Sequence, residues 1–294
     1  MRSPLGSFFG ALIVLTVLRV VMGFAQVPIG LVPYLNVLAT LVFLGLPIIG
    51  IFRAAKHPWD QRLAWLFVVL GLAAHFGFLF IAKSVSGIGG ASASAISQAG
   101  LMTWCTGLGA ALACMLKDKN LLIPVSIFLA GFDIFLVLTP IGLTQQLMQK
   151  APELLPTIGY QLPKVTSTAA PSTGTVGTMA YVGPADFLFM GMFFVALFRF
   201  GLRARETAIW LGVALALYIP LAFILGPVPL LVPIGLTVLM VNLREFKLNT
   251  EEWLSTGLVA LVLAAVIAYG ATRPRPPAEP SQPAPVQATP GSAG

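Results

Sequence analysis

The chain has 294 residues, of which 57% are hydrophobic and 9% charged, with a formal net charge of +7. A soluble domain carries about 25% charged residues because water must wet its whole outside, so this composition excludes a soluble globular protein. The basic balance is not a nucleic-acid footprint either, because the Lys and Arg residues fall almost entirely in short connections, where they set membrane orientation.

A membrane span needs about 20 predominantly apolar residues. Nine segments meet or approach this: 6–25, 31–52, 63–82, 98–116, 121–138, 179–198, 207–226, 228–243 and 252–270. They are continuously apolar rather than alternating, which excludes a transmembrane β-barrel. The expected fold class is all-α, a polytopic transmembrane helix bundle.

In the first segment, a basic start and Gly23-Phe24-Ala25 admit a signal peptide, but the length of the apolar run and Arg19 within it favour a retained helix. Arg19 is expected to snorkel to the surface. His75, in the third segment, is expected to make one inter-helix hydrogen bond. Cys105 and Cys114 lie on one helix about 13 Å apart and half a turn out of phase, too far for a disulfide. Gly107 and Gly109 suit close helix contact. Residues 1–116 thus form an N-terminal group of about four spans.

Residues 121–243 form the expected core. It is interrupted by a long loop, 139–178, which holds an amphipathic stretch (Leu143, Leu147, Met148) and a Ser/Thr/Gly-rich run at 165–177. Loops this long in compact proteins are functional or disordered. A further helix follows at 252–270. The Pro/Ala/Ser-rich tail 271–294 has too little apolar content to fold.

With the N-terminus inside, the inner connections hold eleven basic residues, among them Arg199, Arg203 and Arg205, and the outer ones five. The positive-inside rule therefore places loop 139–178 outside.

Ten residues are acidic, and eight of them lie in connections or the tail. The other two are Asp133 and Asp186. An aspartate at the centre of a span costs about 2.5–3.5 kcal/mol on insertion scales and marks function by default. Asp133 lies about 21 Å of helix beyond Lys119, and Asp186 about 20 Å before Arg199. Both distances are measured from the same face, so the carboxyls sit at one level on consecutive antiparallel helices. Two carboxyls in contact cannot both ionise, so the pair shares a proton. One then activates water while the other polarises a carbonyl.

Gly183 and Pro184 break the helix beside Asp186. The proline is expected to free the carbonyl of Ala180 within the span. A proline cluster, Gly226-Pro227-Val228-Pro229-Leu230-Leu231-Val232-Pro233, is centred at the same depth.

The order Phe132-Asp133, then Gly183-Pro184-Ala185-Asp186-Phe187, then Pro229-Leu230-Leu231 resembles the Tyr-Asp, Gly-x-Gly-Asp and Pro-Ala-Leu motifs of presenilin and signal peptide peptidase. Thr139-Pro140-x-Gly142 and Leu155-Pro156-x-Ile158-x-Tyr160 are similar to the presenilin segment after the first aspartate. The resemblance covers roughly residues 121–243. It implies an intramembrane aspartyl endopeptidase with Asp133 and Asp186 catalytic and with Phe132, Gly183, Pro184, Ala185, Pro229, Leu230 and Leu231 shaping the site. It also implies that an unwound transmembrane substrate is held by strand-type hydrogen bonds near Leu143 or the proline segment.

The chain departs from the family pattern in several places. Ala185 stands for the second glycine and Phe132 for tyrosine. Leu231-Val232-Pro233 is an alternative register for the third motif. The aspartates fall on the fifth and sixth spans rather than the sixth and seventh. Prepilin peptidases also use two aspartates, but their Gly-Asp-x-Lys signature is missing here.

No metal-ligand spacing or phosphate loop is present, so no cofactor is expected. The expected partners are transmembrane protein or peptide substrates and the lipid bilayer, with no nucleic acid. The alternatives are a proton-coupled transporter or channel relaying protons through the two aspartates, or an inactive presenilin-like protein that binds helices without cutting.

Overall fold

The computed structural model describes residues 3–167 and 177–273. Most of the Ser/Thr/Gly-rich run and almost all of the expected disordered tail lie outside the described residues.

The chain is mostly helical. The helices are α1 (Pro4–Phe24), α2 (Val32–Ala54), α3 (Gln61–Ser84), α4 (Gly87–Met115), α5 (Leu122–Leu138), α6 (Leu143–Lys150), α7 (Leu155–Ile158), α8 (Pro184–Arg199), α9 (Ala204–Leu225), α10 (Leu231–Asn242) and α11 (Thr250–Ala271). Among the described residues, five helical stretches are long and apolar enough to cross a membrane: Pro4–Phe24, Ile29–Ala54, Gln61–Ser84, Lys119–Lys150 and Thr250–Ala271. The protein is therefore a membrane-embedded, multi-pass helical protein.

The starts of several helices follow from capping chemistry. The Ser3 hydroxyl accepts from Gly6 N at 3.0 Å with Pro4 at the first helical position, where a missing N–H is harmless. Asp60 caps α3 through Leu63 N at 2.9 Å. Asn249 and Glu252 form a reciprocal capping box on α11, satisfying two of its orphan N–H groups.

Helix α4 is long but rich in Gly, Ala and Ser, because it packs against other helices rather than lipid. A Cβ on Gly107 would come within 2.6 Å of Phe67 Cβ in α3, and one on Gly109 within 2.7 Å of Met192 N in α8. Small residues let backbones approach this closely. Gly109→Leu is therefore expected to lower the thermal unfolding midpoint in detergent by several degrees, since overpacking costs about 1–3 kcal/mol; an unchanged midpoint would contradict this packing.

Two small sheets stand beside the bundle. Strand β1 (Gln26–Val27) pairs in parallel with β3 (Thr166–Ser167), and β2 (Tyr160–Lys164) pairs antiparallel with β4 (Gly177–Val182). The expected helix at 179–198 is corrected by β4. Residues through Val182 are strand, and the helix begins only at Pro184. Proline therefore initiates α8 instead of kinking it. Ala180 is paired opposite Leu162, so the expected carbonyl freed within a span does not arise.

The hydrogen bonds gather the chain turns at two ends. At one end, Arg199 Nη1 donates to the carbonyls of Ala113, Cys114 and Leu116 at 2.7–3.0 Å. They lie in the last turn of α4 and at its C-cap, where helix carbonyls run short of intrahelical partners. Asn120 donates to Lys247 O at 2.9 Å, and Asn242 accepts from Arg203 N at 2.9 Å. The other end carries β1 to β4.

Candidate active site

Asp133 lies in the interior of α5, one turn before its end. Helix α5 packs between α10 and α11, with Gly131 facing Leu263 and Gly270 facing Thr139 and Phe135. The carboxylate of Asp133 accepts a 2.8 Å hydrogen bond from the backbone N–H of Leu231, the first residue of α10. That N–H has no intrahelical acceptor, so a side chain of α5 caps another helix.

Asp186 occupies the third position of α8, behind Gly183 as N-cap and Pro184 as the first helical residue. Its carboxyl turns back toward Gly183, where an added Cβ would lie 3.2 Å from Asp186 Oδ2. Asp186 shares an apolar crevice with Leu230, the residue before Leu231, and both acids are partly exposed. The N-termini of α8 and α10 thus meet at the two acids. The positive ends of helix dipoles favour negative charge at this point.

Helix α5 does not pack along α8, as consecutive antiparallel helices were expected to do. Helix α8 lies against α4 and α2, and α10 touches both α5 and α8. The α9–α10 turn is what joins the two acids. An apolar crevice reaches Asp186, lined by Leu44 and Ile48 of α2, Val182, Leu215 of α9, and Leu230 and Ile234. It is an apolar slot with one acid on its wall.

Of the residues expected to shape the site, Gly183, Pro184, Leu230 and Leu231 stand beside the acids, and Pro229 is buried just before them. Leu230 and Leu231 are the members of the proline cluster that reach the acids, whereas Val232 and Pro233 lie within α10. Three expected placements are not met. Phe132 is 40% exposed and stacks between Phe128 and Phe135 on the outer face of α5, since successive helical residues point about 100° apart. Leu143 is 66% exposed at the start of α6. Ala185 is exposed and does not line the crevice.

Two polar residues also differ from expectation. Arg19 does not snorkel: it is 4% exposed, donates to Gln161 O, and lies over the rings of Phe43 and Tyr160 at 5.4 Å each. His75 makes contacts through both ring nitrogens, to Ser97 O at 2.9 Å and Thr157 O at 3.0 Å, rather than one.

Comparison with protein-family models, curated proteins and solved structures found no match.

Proposed function

We propose that this chain is an intramembrane aspartyl protease of the presenilin and signal peptide peptidase type, with Asp133 and Asp186 as its dyad. One observation carries the reading: the Leu231 N–H bonds Asp133 while Leu230 borders the crevice that ends at Asp186. Three sequence motifs that are far apart in the chain thereby converge on one point. In the reaction, the ionised carboxylate takes a proton from water, whose oxygen adds to the scissile carbonyl carbon. The protonated partner donates its proton to the carbonyl oxygen. Collapse of the tetrahedral species breaks the C–N bond as the amine takes up a proton. The apolar crevice suits a hydrophobic side chain of a transmembrane substrate.

All nine long helices are proposed to cross the membrane. The chain ends after α1 and after α5 pair through β1 and β3, as an even number of intervening crossings requires. The turns bound by Arg199, Asn120 and Arg203 gather at the opposite, basic end.

The basic end is proposed to face inward. In a background with Cys105 and Cys114 replaced by alanine, Glu153→Cys is expected to react with a membrane-impermeant thiol reagent added outside, and Glu206→Cys to be protected. Both positions are exposed, so burial does not confound the result. The reverse pattern would invert the topology and open the active site to the inner side.

A further inference from the structure

Strand β2 has two edges, and only one of them meets β4. Gln161 sits opposite Tyr181, and its flanking residues pair with Val182 and Ala180. In an antiparallel ladder, alternate residues turn both backbone groups away from the partner strand. Both outward groups of Gln161 are met by buried side chains from two different helices. Arg19 of α1 donates to its carbonyl, and Gln98 of α4, 3% exposed, accepts from its N–H at 3.0 Å. Asn36 of α2 accepts from Val165 N at 2.8 Å, and His75 of α3 contacts Thr157 O at 3.0 Å. Four helices thus each commit a polar side chain to one nine-residue stretch of backbone.

Arg19 is the member hardest to explain by stability alone. Among the described residues it forms no ion pair, and a buried charge without a counter-charge is poorer for stability than an apolar residue of its size. Its guanidinium lies over the Tyr160 ring, 5.4 Å from the centroid, a placement that a planar, delocalised cation favours. Tyr160 is 2% exposed and packs edge-on against Phe187 at 5.0 Å. Phe187 is the residue after Asp186. A second route runs through the backbone, from Gln161 across the β2–β4 ladder to Val182 and on to Gly183, against which the Asp186 carboxyl lies.

We propose that Arg19, assisted by Gln98, is a positioning residue that fixes the β2–β4 hairpin and thereby holds Asp186 in register with Asp133; this rests on the protease reading above. Neither residue touches the reacting atoms. Their effect falls on the geometry of the acid, where a displacement of about 1 Å in a catalytic group lowers turnover by about a hundredfold.

The test uses the full chain in detergent, a reporter transmembrane peptide, and amide hydrogen exchange. Arg19→Met is expected to lower kcat at least tenfold with KM unchanged. Exchange is expected to rise in 157–167 and 177–186 and not in α3 or α11. Arg19→Lys, which keeps one donor and loses the planar group, is expected to recover part of kcat. Gln98→Met gives a milder form of the same pattern and serves if Arg19→Met does not fold. An unchanged kcat, or a loss of kcat with exchange rising throughout the chain in both variants, overturns the proposal. If the unsubstituted protein cleaves nothing, the protease reading fails and the exchange pattern decides alone. A rise confined to the hairpin then sustains the clamp, and unchanged exchange there overturns it.

Discussion

Asp133→Asn and Asp186→Asn are each expected to reduce cleavage of a reporter transmembrane peptide by about a thousandfold or more, with the unfolding midpoint nearly unchanged. Asparagine is the informative substitution because each aspartate also serves a helix N-terminus. An amide oxygen can still accept from Leu231 N or keep the place beside Gly183, and asparagine caps helices about as well as aspartate. What it cannot do is exchange a proton with its partner. General acid–base catalysis contributes about 10²–10⁴-fold, and residues acting as a unit lose nearly everything when either is removed. The double variant should be no worse than either single one. Chelators should leave the rate unchanged, because the chemistry proposed uses two carboxyls and water. Two active single variants would mean that the acids are caps only. Proton-coupled transport lost in the same variants would favour the transporter reading.

The helix bundle was largely legible in the sequence because lipid imposes a simple rule on composition. Most of the nine apolar runs correspond to helices whose ends lie within a few residues of the expected ones; the exceptions are α4, which starts eleven residues earlier than expected at Gly87, and α8, which starts five later at Pro184. The two acids were legible for the same reason, as ionisable groups inside apolar runs. The strand β4 was not. Met179, Ala180, Tyr181 and Val182 are apolar and directly precede a helix, and periodicity in so short a run does not separate strand from helix. A local signal did exist: Gly183-Pro184-Ala185-Asp186 reads as an N-cap, a first-turn proline and an acid near the dipole, which together mark a helix start. Phe132 and Leu143 were assigned by resemblance, whereas the turn of α5 and the start of α6 direct them outward. Arg19 stands out as a charge in an apolar run, but neither its role nor that of Gln98 could be read locally, because their acceptor and donor both belong to Gln161, far away in the chain.

Gly183 provides a second large effect with a purely steric origin. Its backbone, at φ −65° and ψ 143°, is one that any L residue adopts, so substitution introduces no conformational strain. A Cβ at this position would lie 3.2 Å from Asp186 Oδ2, closer than ordinary van der Waals contact. In Gly183→Ala the carboxyl must yield by a few tenths of an ångström, and kcat is expected to fall about tenfold. In Gly183→Val the second branch, held stiffly at χ1, leaves the carboxyl no such retreat and must rotate it away from Asp133. The expected loss is about a hundredfold or more. KM should stay near its original value, since Gly183 is not among the residues lining the crevice. Stability should hold or rise slightly in the alanine variant, because the unfolded chain loses conformational freedom. Measuring kcat, KM and the unfolding midpoint together separates these effects. A fully active Gly183→Val would mean that Asp186 does not work from the place beside Gly183 where the helix start holds it, and the dyad geometry proposed here would have to be abandoned.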